Sequence, residues 1–438
     1  MSATSTIAPR TIESMRRGWC PGTLRPMETG DGWLVRLHPP SARLLPAQLR
    51  RVAALAREHG SGLVEISARA NLQIRGVTAE SHPRLIAALL ADGLVDEREG
   101  DGPQRMTLVS PLAGTGSGAA LVDAAALAET IEAAARDQHG LPAKLGIVID
   151  DGGALPLDVF PADVRLLATA PDEILVGLPR GLWLGPVAAD DAPEKVARLL
   201  TGFLARHRQR PDDVRRFRDL SGDALVALAA AAGLREVQAP AERAAAPRVG
   251  AFAWRDGRRA VIVGLPFGRC EAATLDRLAA SVAASEAEIR FSPWRGLAFR
   301  NLSPEGAEAL LSLAGELGLI TRDADPRLSI QACAGSPACR SAQAPTMTDA
   351  ALLAEAADGL LADGLTLHVS GCIKGCAHPG PADLTLVADA GRYRAIEGGT
   401  ARDSAGEVLD LSALMARLQP GQGLHARLAA AARKGTGV

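Results

Sequence analysis

"PADVRLLATA" at residues 161–170 returns as "PADLTLVADA" at 381–390, identical at six of ten positions and displaced by 220 residues. A second pair, "SARANLQIRGV" (67–77) and "SPWRGLAFRNL" (292–302), matches Ser67 to Ser292, Leu72 to Leu297 and Arg75 to Arg300 at an offset of 225. Two similar offsets in the same order along the chain describe a duplicated half of roughly 220 residues. The Ala/Pro-rich stretch "VQAPAERAAAPRV" (237–249) then reads as the linker between the copies.

Each copy opens with an α+β unit. In the first, "WLVRLHP" (33–39) has the apolar content of a strand, "PAQLRRVAALAREHG" (46–60) that of an amphipathic helix stopped by Gly60, and "GLVEIS" and "NLQIRGV" follow as strands. The second repeats the order with "AVIVGLP" (260–266), "EAATLDRLAASVAAS" (271–285), "EIRFS" (288–292) and "GLAFRNL" (296–302). Ser303 and Pro304 then supply an N-cap and a first helical residue. A longer segment follows each unit, beginning with a loop, "VSPLAGTGSG" (109–118) or "SIQACAGSPAC" (329–339), and ending with the PAD strand. Four domains are expected, over 1–102, 103–240, 241–325 and 326–438.

Hydrophobic residues at 47%, charged residues at 22% and a net charge of −2 describe a globular chain without the basic footprint of a nucleic-acid binder. No stretch reaches the roughly 18 apolar residues of a membrane helix, so the expected location is cytoplasmic. Six cysteines in 438 residues are too few for a disulfide scaffold. Four of them cluster in the second copy: Cys333 and Cys339 as C-x5-C, then Cys372 and Cys376 as C-x3-C. Such thiolates can wrap a tetrahedral zinc ion or an iron–sulfur cube. Gly335, Pro337, Gly371, Gly375 and Pro379 around each pair let the backbone turn tightly and bring N–H groups toward sulfur, which unliganded buried cysteines do not require. Cys20 and Cys270 stand alone and read as packing residues. Arginine outnumbers lysine 44 to 4, which singles out Lys144 and Lys374 inside motifs.

C-x5-C, a gap of about thirty residues and C-x3-C in the last quarter of a duplicated chain resembles the nitrite and sulfite reductase family. The likeness runs from about Gly18 to about Leu418 and includes "RMTLVSPLAG" (105–114) and "LPAKLGIVID" (141–150). It implies an α+β fold with two ferredoxin-like half-domains and two cluster-type α/β domains about a pseudo-twofold axis, and a four-cysteine 4Fe–4S cluster held by Cys333, Cys339, Cys372 and Cys376. In that family sirohaem lies between the domains with basic residues around its carboxylates. By motif position Arg36, Arg69, Arg105 and Lys144 match that basic set, Gln73 matches the glutamine that follows the family's arginine motif, and Arg295 and Arg300 join as further carboxylate partners. Guanidinium forks suit a polycarboxylate macrocycle.

One departure is chemical. The reductases carry a second lysine two residues after the first, over the face where sulfite or nitrite binds; here that position is Gly146. Loss of a cation that stabilises an oxyanion disfavours sulfite or nitrite reduction. The opening "RRGWCPGTLRPMETGDGWLVRL" (16–37), with "SPWRGL" (292–297), resembles one branch of the family, the precorrin-3B synthases of aerobic cobalamin biosynthesis. That resemblance implies an O2-dependent monooxygenase acting on precorrin-3A at C20 with closure of a γ-lactone. It also implies a mononuclear non-haem iron, whose ligands the sequence does not mark; His368, His378 and Asp383 read as structural or outer neighbours of the cluster loop. Lys374 in that loop is placed to meet a carboxylate or to raise the cluster potential, or is simply solvated. "GTGSG" (114–118) lacks the spacing of a dinucleotide fingerprint, so electrons are expected from an external donor. A sirohaem-dependent reductase and a non-catalytic tetrapyrrole or redox protein are the rival readings.

Overall fold

The computed structural model describes residues 19–95, 102–114, 119–362 and 364–418. These fall into two compact units. The smaller holds the chain from Ala324 onward with Thr29–Asp31 and the described residues before Pro21, and the larger holds Pro21–Glu28 and Gly32–Asp323.

Strands β1 (Met27–Thr29), β2 (Gly32–Leu37) and β3 (Arg43–Leu44) lead into helix α1 (Pro46–His59), followed by β4 (Leu63–Ile66), β5 (Leu72–Val77) and α2 (His82–Ala91). Pro46 starts α1 where its missing N–H costs nothing, and Gln48 Oε1 accepts the Leu45 N–H at 2.8 Å. The helix stops before Gly60 as expected, yet Gly60 is extended (φ −126°) rather than left-handed. Its missing side chain serves packing instead: a Cβ there would lie 2.5 Å from the Arg75 carbonyl oxygen. Strands β1, β2, β5 and β4 lie side by side in that order.

The next segment builds β6 (Thr107–Val109), α3 (Ala124–Ala134), β7 (Ile147–Asp150), β8 (Val164–Ala170), β9 (Glu173–Leu178), β10 (Leu182–Val187), α4 (Ala192–Gln209), α5 (Gly222–Ala231) and β11 (Glu236–Val237). Its sheet runs β6 to β11 in order, parallel from β6 to β8 and antiparallel beyond. Asp123 and Ser221 cap α3 and α5 by accepting backbone N–H groups. Leu199, Leu200, Phe203 and Phe217 fill the core beneath, the two phenyl rings stacked at 4.6 Å.

The second copy follows as β12 (Gly250–Ala253), β13 (Arg259–Gly264), β14 (Arg269–Glu271), α6 (Ala272–Ser281), β15 (Glu288–Ser292), β16 (Gly296–Leu302) and α7 (Pro304–Glu316). β15 and β16 have the expected bounds, and Ser303 Oγ accepts the Gly306 N–H at 3.0 Å with Pro304 in the first turn. The repeat holds in atomic detail. Ser67 O accepts the Ala70 N–H and Ser292 O the Arg295 N–H, both at 2.9 Å, and Ala70 (φ 53°) and Arg295 (φ 61°) share the same left-handed turn. What the periodicity did not indicate is an exchange of edges. β14 of the second copy pairs with β4 of the first (Arg269↔Glu65), and β3 of the first pairs with β15 of the second (Arg43↔Arg290). One apolar core therefore spans both copies, with Leu37, Leu44 and Val52 packed in the same cluster as Leu275, Ile289 and Phe299.

In the smaller unit β17 (Ile330–Ala332), α8 (Thr346–Ala356), α9 (Asp358–Ala362), β18 (Leu367–Ser370), β19 (Ala382–Asp389), β20 (Arg392–Gly399), β21 (Glu407–Leu409) and α10 (Leu411–Leu418) repeat the β6–β10 pattern. β17, β18 and β19 are parallel; β20 and β21 turn back. The PAD aspartate does the same work in each copy: Asp163 Oδ2 accepts the Gly146 N–H at 2.9 Å and Asp383 Oδ2 the Thr366 N–H at 2.8 Å. Among the described residues no helix is long and apolar enough to cross a membrane.

Leu44 is 1% exposed on the exchanged strand β3, so Leu44→Ala should lower the unfolding free energy by about 2–5 kcal/mol, the usual cost of a buried Leu-to-Ala cavity. Leu45, 56% exposed, should tolerate alanine within about 0.5 kcal/mol. Urea titration of both variants checks the difference.

Candidate functional site

Both cysteine pairs sit on loops that leave the carboxyl ends of neighbouring parallel strands. Cys333 and Cys339 follow β17, and Cys372 and Cys376 follow β18. Parallel pairing brings the two strand ends side by side, so the loops converge. The Cys333 N–H donates to Val369 O at 3.2 Å, and the Gly371 N–H points at Cys333 Sγ, also at 3.2 Å. Thr346, the first residue of α8, donates its hydroxyl to Cys333 O at 2.8 Å, which sets the positive helix end beside that sulfur. Gly335 (φ +67°) is required here, because a Cβ would meet Thr346 Oγ1 at 2.5 Å. Lys374 Nζ reaches from the second loop to Ser341 Oγ in the first at 3.4 Å.

Three of the four cysteines are half-buried, and Cys376 keeps an exposed edge. The atoms packed around the Cys376 sulfur nonetheless desolvate it and push its thiol up to about 11, and the neighbouring Cys372, Cys333 and Cys339 push it further in the same direction. Cys372 is raised by the same causes, burial first. Four mutually repelling sulfurs need a positive group among them to exist as thiolates. Among the described residues no three or more His, Cys, Asp or Glu side chains are arranged around a single metal ion. Asp383 is taken up by Thr366, and His378 Nε2 lies 2.9 Å from Pro381 O. Cys270 packs against the shared core of the larger unit.

In the larger unit the basic residues separate into two groups. Arg36, Gln73, Glu65 and Arg269 lie directly opposite one another on β2, β5, β4 and β14, a row that crosses four strands. Arg36 donates Nε and Nη2 to Gln73 Oε1 at 3.0 and 2.9 Å, Gln73 Nε2 donates to Glu65 Oε2 at 3.2 Å, and Arg269 grips Glu65 Oε1. Arg75 adds an ion pair to Glu65 Oε2 at 3.2 Å. Arg69 and Arg105 instead line a cavity of about 270 Å³, together with Arg136 and Arg290. Arg69 reaches the carbonyls of Lys144 and Leu145, both at 3.4 Å, and passes directly over Gly146, where a Cβ would lie 2.4 Å from Arg69 Nη2. The lysine-free position is thus filled by a guanidinium from another loop. Lys144 is exposed, and Lys144, Arg295 and Arg300 do not line this cavity. Arg300 lies over the Trp254 ring at 4.7 Å, pairs with Glu288 at 2.8 Å and donates to Ala113 O.

Sequence reasoning missed Glu65, Arg75, Arg269, Arg136 and Arg290. A signal existed for Arg290, which stands 225 residues after Glu65 at the same point of the repeat. Arg136 follows α3 with no motif around it. The copy without the cysteine pairs also holds an unanticipated group. Where β18 leads to Gly371 and Cys372, β7 ends in Asp150 and leads to Asp151. Arg243, from the expected linker, donates to both oxygens of Asp150 and to Asp158. Asp151 is 2% exposed and accepts the Gly153 N–H at 2.9 Å.

Residues 25–92 and 254–317 match the nitrite/sulfite reductase ferredoxin-like half domain. The chain is 35% identical to a precorrin-3B synthase of Sinorhizobium over 412 residues, covering 89% of this chain and 85% of that protein. The chain belongs to the precorrin-3B synthase family. It is also 26% identical over 441 residues to a sulfite reductase (NADPH) hemoprotein beta-component of Nitrobacter hamburgensis, covering 85% of this chain and 76% of the relative. Its fold is that of the Mycobacterium tuberculosis NirA protein, with a TM-score of 0.67 and 22% identity over 88% of this chain and 79% of NirA. The duplicated α+β architecture expected from the repeats is therefore that of the wider nitrite and sulfite reductase family.

Burial raises the Asp151 carboxyl from 3.8 to about 6, with the charge of Asp150 adding to the effect and the Gly153 N–H opposing it. The folded chain thus binds a proton that the unfolded chain releases, and stability falls as pH rises through the window between 3.8 and about 6. At about 1.4 kcal/mol per unit the loss reaches roughly 2–3 kcal/mol above that window. Asp151→Asn should be more stable than the parent at neutral pH and should lose that advantage below pH 4, as read by urea titration at the two pH values.

Proposed function

We propose that this chain is an O2-dependent monooxygenase that converts precorrin-3A to precorrin-3B, placing a hydroxyl on C20 and closing a γ-lactone. The observation that carries this reading is the 35% identity to a precorrin-3B synthase across 89% of the chain. The glycine that admits Arg69 where the reductases place a lysine supports it. In the balanced step one oxygen atom of O2 enters the new hydroxyl and the other leaves as water, with two electrons and two protons from an external donor. Family membership favours an iron–sulfur cofactor, and we assign a 4Fe–4S cluster to Cys333, Cys339, Cys372 and Cys376. Such a cluster supplies electrons singly. We assign carboxylate binding to Arg36, Arg69, Arg105, Lys144, Arg295 and Arg300, with Gln73 orienting Arg36 through the bond it accepts. The four domains are proposed at 1–102, 103–240, 241–325 and 326–438.

Purified protein given precorrin-3A and a reductant should yield a product heavier by one oxygen atom, labelled from 18O2 and not from labelled water. Turnover of sulfite with a viologen donor, or equal product formation without oxygen, would return the chain to the reductases. The cluster assignment is separately testable. Serine at any one of Cys333, Cys339, Cys372 or Cys376 should abolish the broad iron–sulfur absorption, since a harder ligand holds the cluster poorly. Cys270→Ser should leave it intact.

A further inference from the structure

Building on the tetrapyrrole reading above, we infer that Arg136 and Arg290, with Arg69 and Arg105, form a subsite for carboxylate arms of the macrocycle. The four guanidinia come from separate parts of the larger unit: the turn after β4, the approach to β6, the chain just past α3, and β15 of the second copy. Glu129 and Glu132 are the acidic residues of the wall, leaving two positive charges in excess. Glu132 Oε1 is committed to the Met106 N–H, the Thr107 N–H and the Thr107 hydroxyl at 2.8, 2.8 and 2.9 Å. Planar guanidinium forks take carboxylates in two-point fashion.

Three of the four forks are also held before any ligand arrives. Backbone carbonyls brace Arg69 and Arg105, the latter through Pro39 O at 2.6 Å, and Glu288 accepts Arg290 Nε at 2.8 Å. Side chains fixed in advance lose little freedom on binding. Size selects the ligand. At about 270 Å³ the cavity is below the roughly 300–1,000 Å³ of sites that enclose a whole drug-sized molecule, and a tetrapyrrole is larger still. An acetate or propionate arm fits, its methylenes facing Val109, Pro111 and Phe291 while the ring stays outside. The repeat adds an independent pointer. Arg290 occupies the position that Glu65 holds in the first copy, where the carboxylate is consumed by Arg75 and Arg269. Reversal of charge at equivalent points turns one of two related sheets toward anions.

The test is fluorescence titration of the full cofactor-loaded chain with uroporphyrin, a porphyrin polycarboxylate. Arg136→Ala, at an exposed position that leaves the core untouched, and Arg290→Gln should each raise the Kd about tenfold, the scale of one charge-assisted hydrogen bond. Millimolar succinate or phosphate should compete weakly. Unchanged uroporphyrin affinity in both variants, with a loss in Arg36→Ala, would overturn the subsite while leaving the tetrapyrrole reading in place. Absence of uroporphyrin binding by the parent chain would overturn both. Tight succinate or phosphate binding that depends on Arg136, without effect on uroporphyrin, would make the cavity a small-anion site and overturn the subsite.

Discussion

The reciprocal pairing of β14 with β4 and of β3 with β15 is the interaction on which the larger unit depends. Each ferredoxin-like copy leaves one sheet edge for the other to cover, so unpaired backbone donors and acceptors are satisfied across the duplication. Apolar residues of both copies then share one core, and neither copy has a complete sheet by itself. The row of Arg36, Gln73, Glu65 and Arg269 inherits this dependence: Glu65 is buried at 9% exposure, and one of the cations that make its burial tolerable, Arg269, arrives only on the exchanged strand. Gln73 is held in turn with its amide nitrogen to Glu65 and its oxygen to Arg36.

Duplication set the scaffold and divergence at strand ends set the chemistry. In both copies three parallel strands deliver two loops to one place, and in both the PAD aspartate ties the incoming chain through a backbone N–H. The later copy furnishes those loops with soft sulfur donors, glycines and a helix end. The earlier one furnishes them with Asp150 and Asp151, neutralised by Arg243 and by a raised carboxyl pKa. The same geometry thus presents four thiols in one place and a closed polar lock in the other. Gly146 lies directly beneath the Arg69 guanidinium, which a side chain at that position would displace.

Much of this was written locally. Alternating and 3.6-residue apolar patterns located β15 and β16 and the Ser303–Pro304 helix start, because those features depend on neighbours a few residues away. The repeat offset predicted two related halves, and the left-handed turns at Ala70 and Arg295 obey it. The cysteine spacing marked converging loops. Gly60 was read as a helix stop, which it is, but its place of close backbone approach to Arg75 is a long-range fact. The stretch 237–249 was read as linker, yet Arg243 is pinned to Asp150 and Asp158.

The sequence by itself determined the duplicated α+β class, the element order and the cysteine quartet, since each is a property of composition, spacing or short-range periodicity. Only the tertiary structure decided which sheet edge β3 and β14 would cover, that Arg36 and Gln73 would meet Glu65 and Arg269, and that Arg136 and Arg290 would face one cavity with Arg69 and Arg105. An arginine on a solvated surface and one on a cavity wall have the same local sequence signature. What separates them is the backbone hydrogen bonding and apolar burial that bring residues more than a hundred positions apart to one wall.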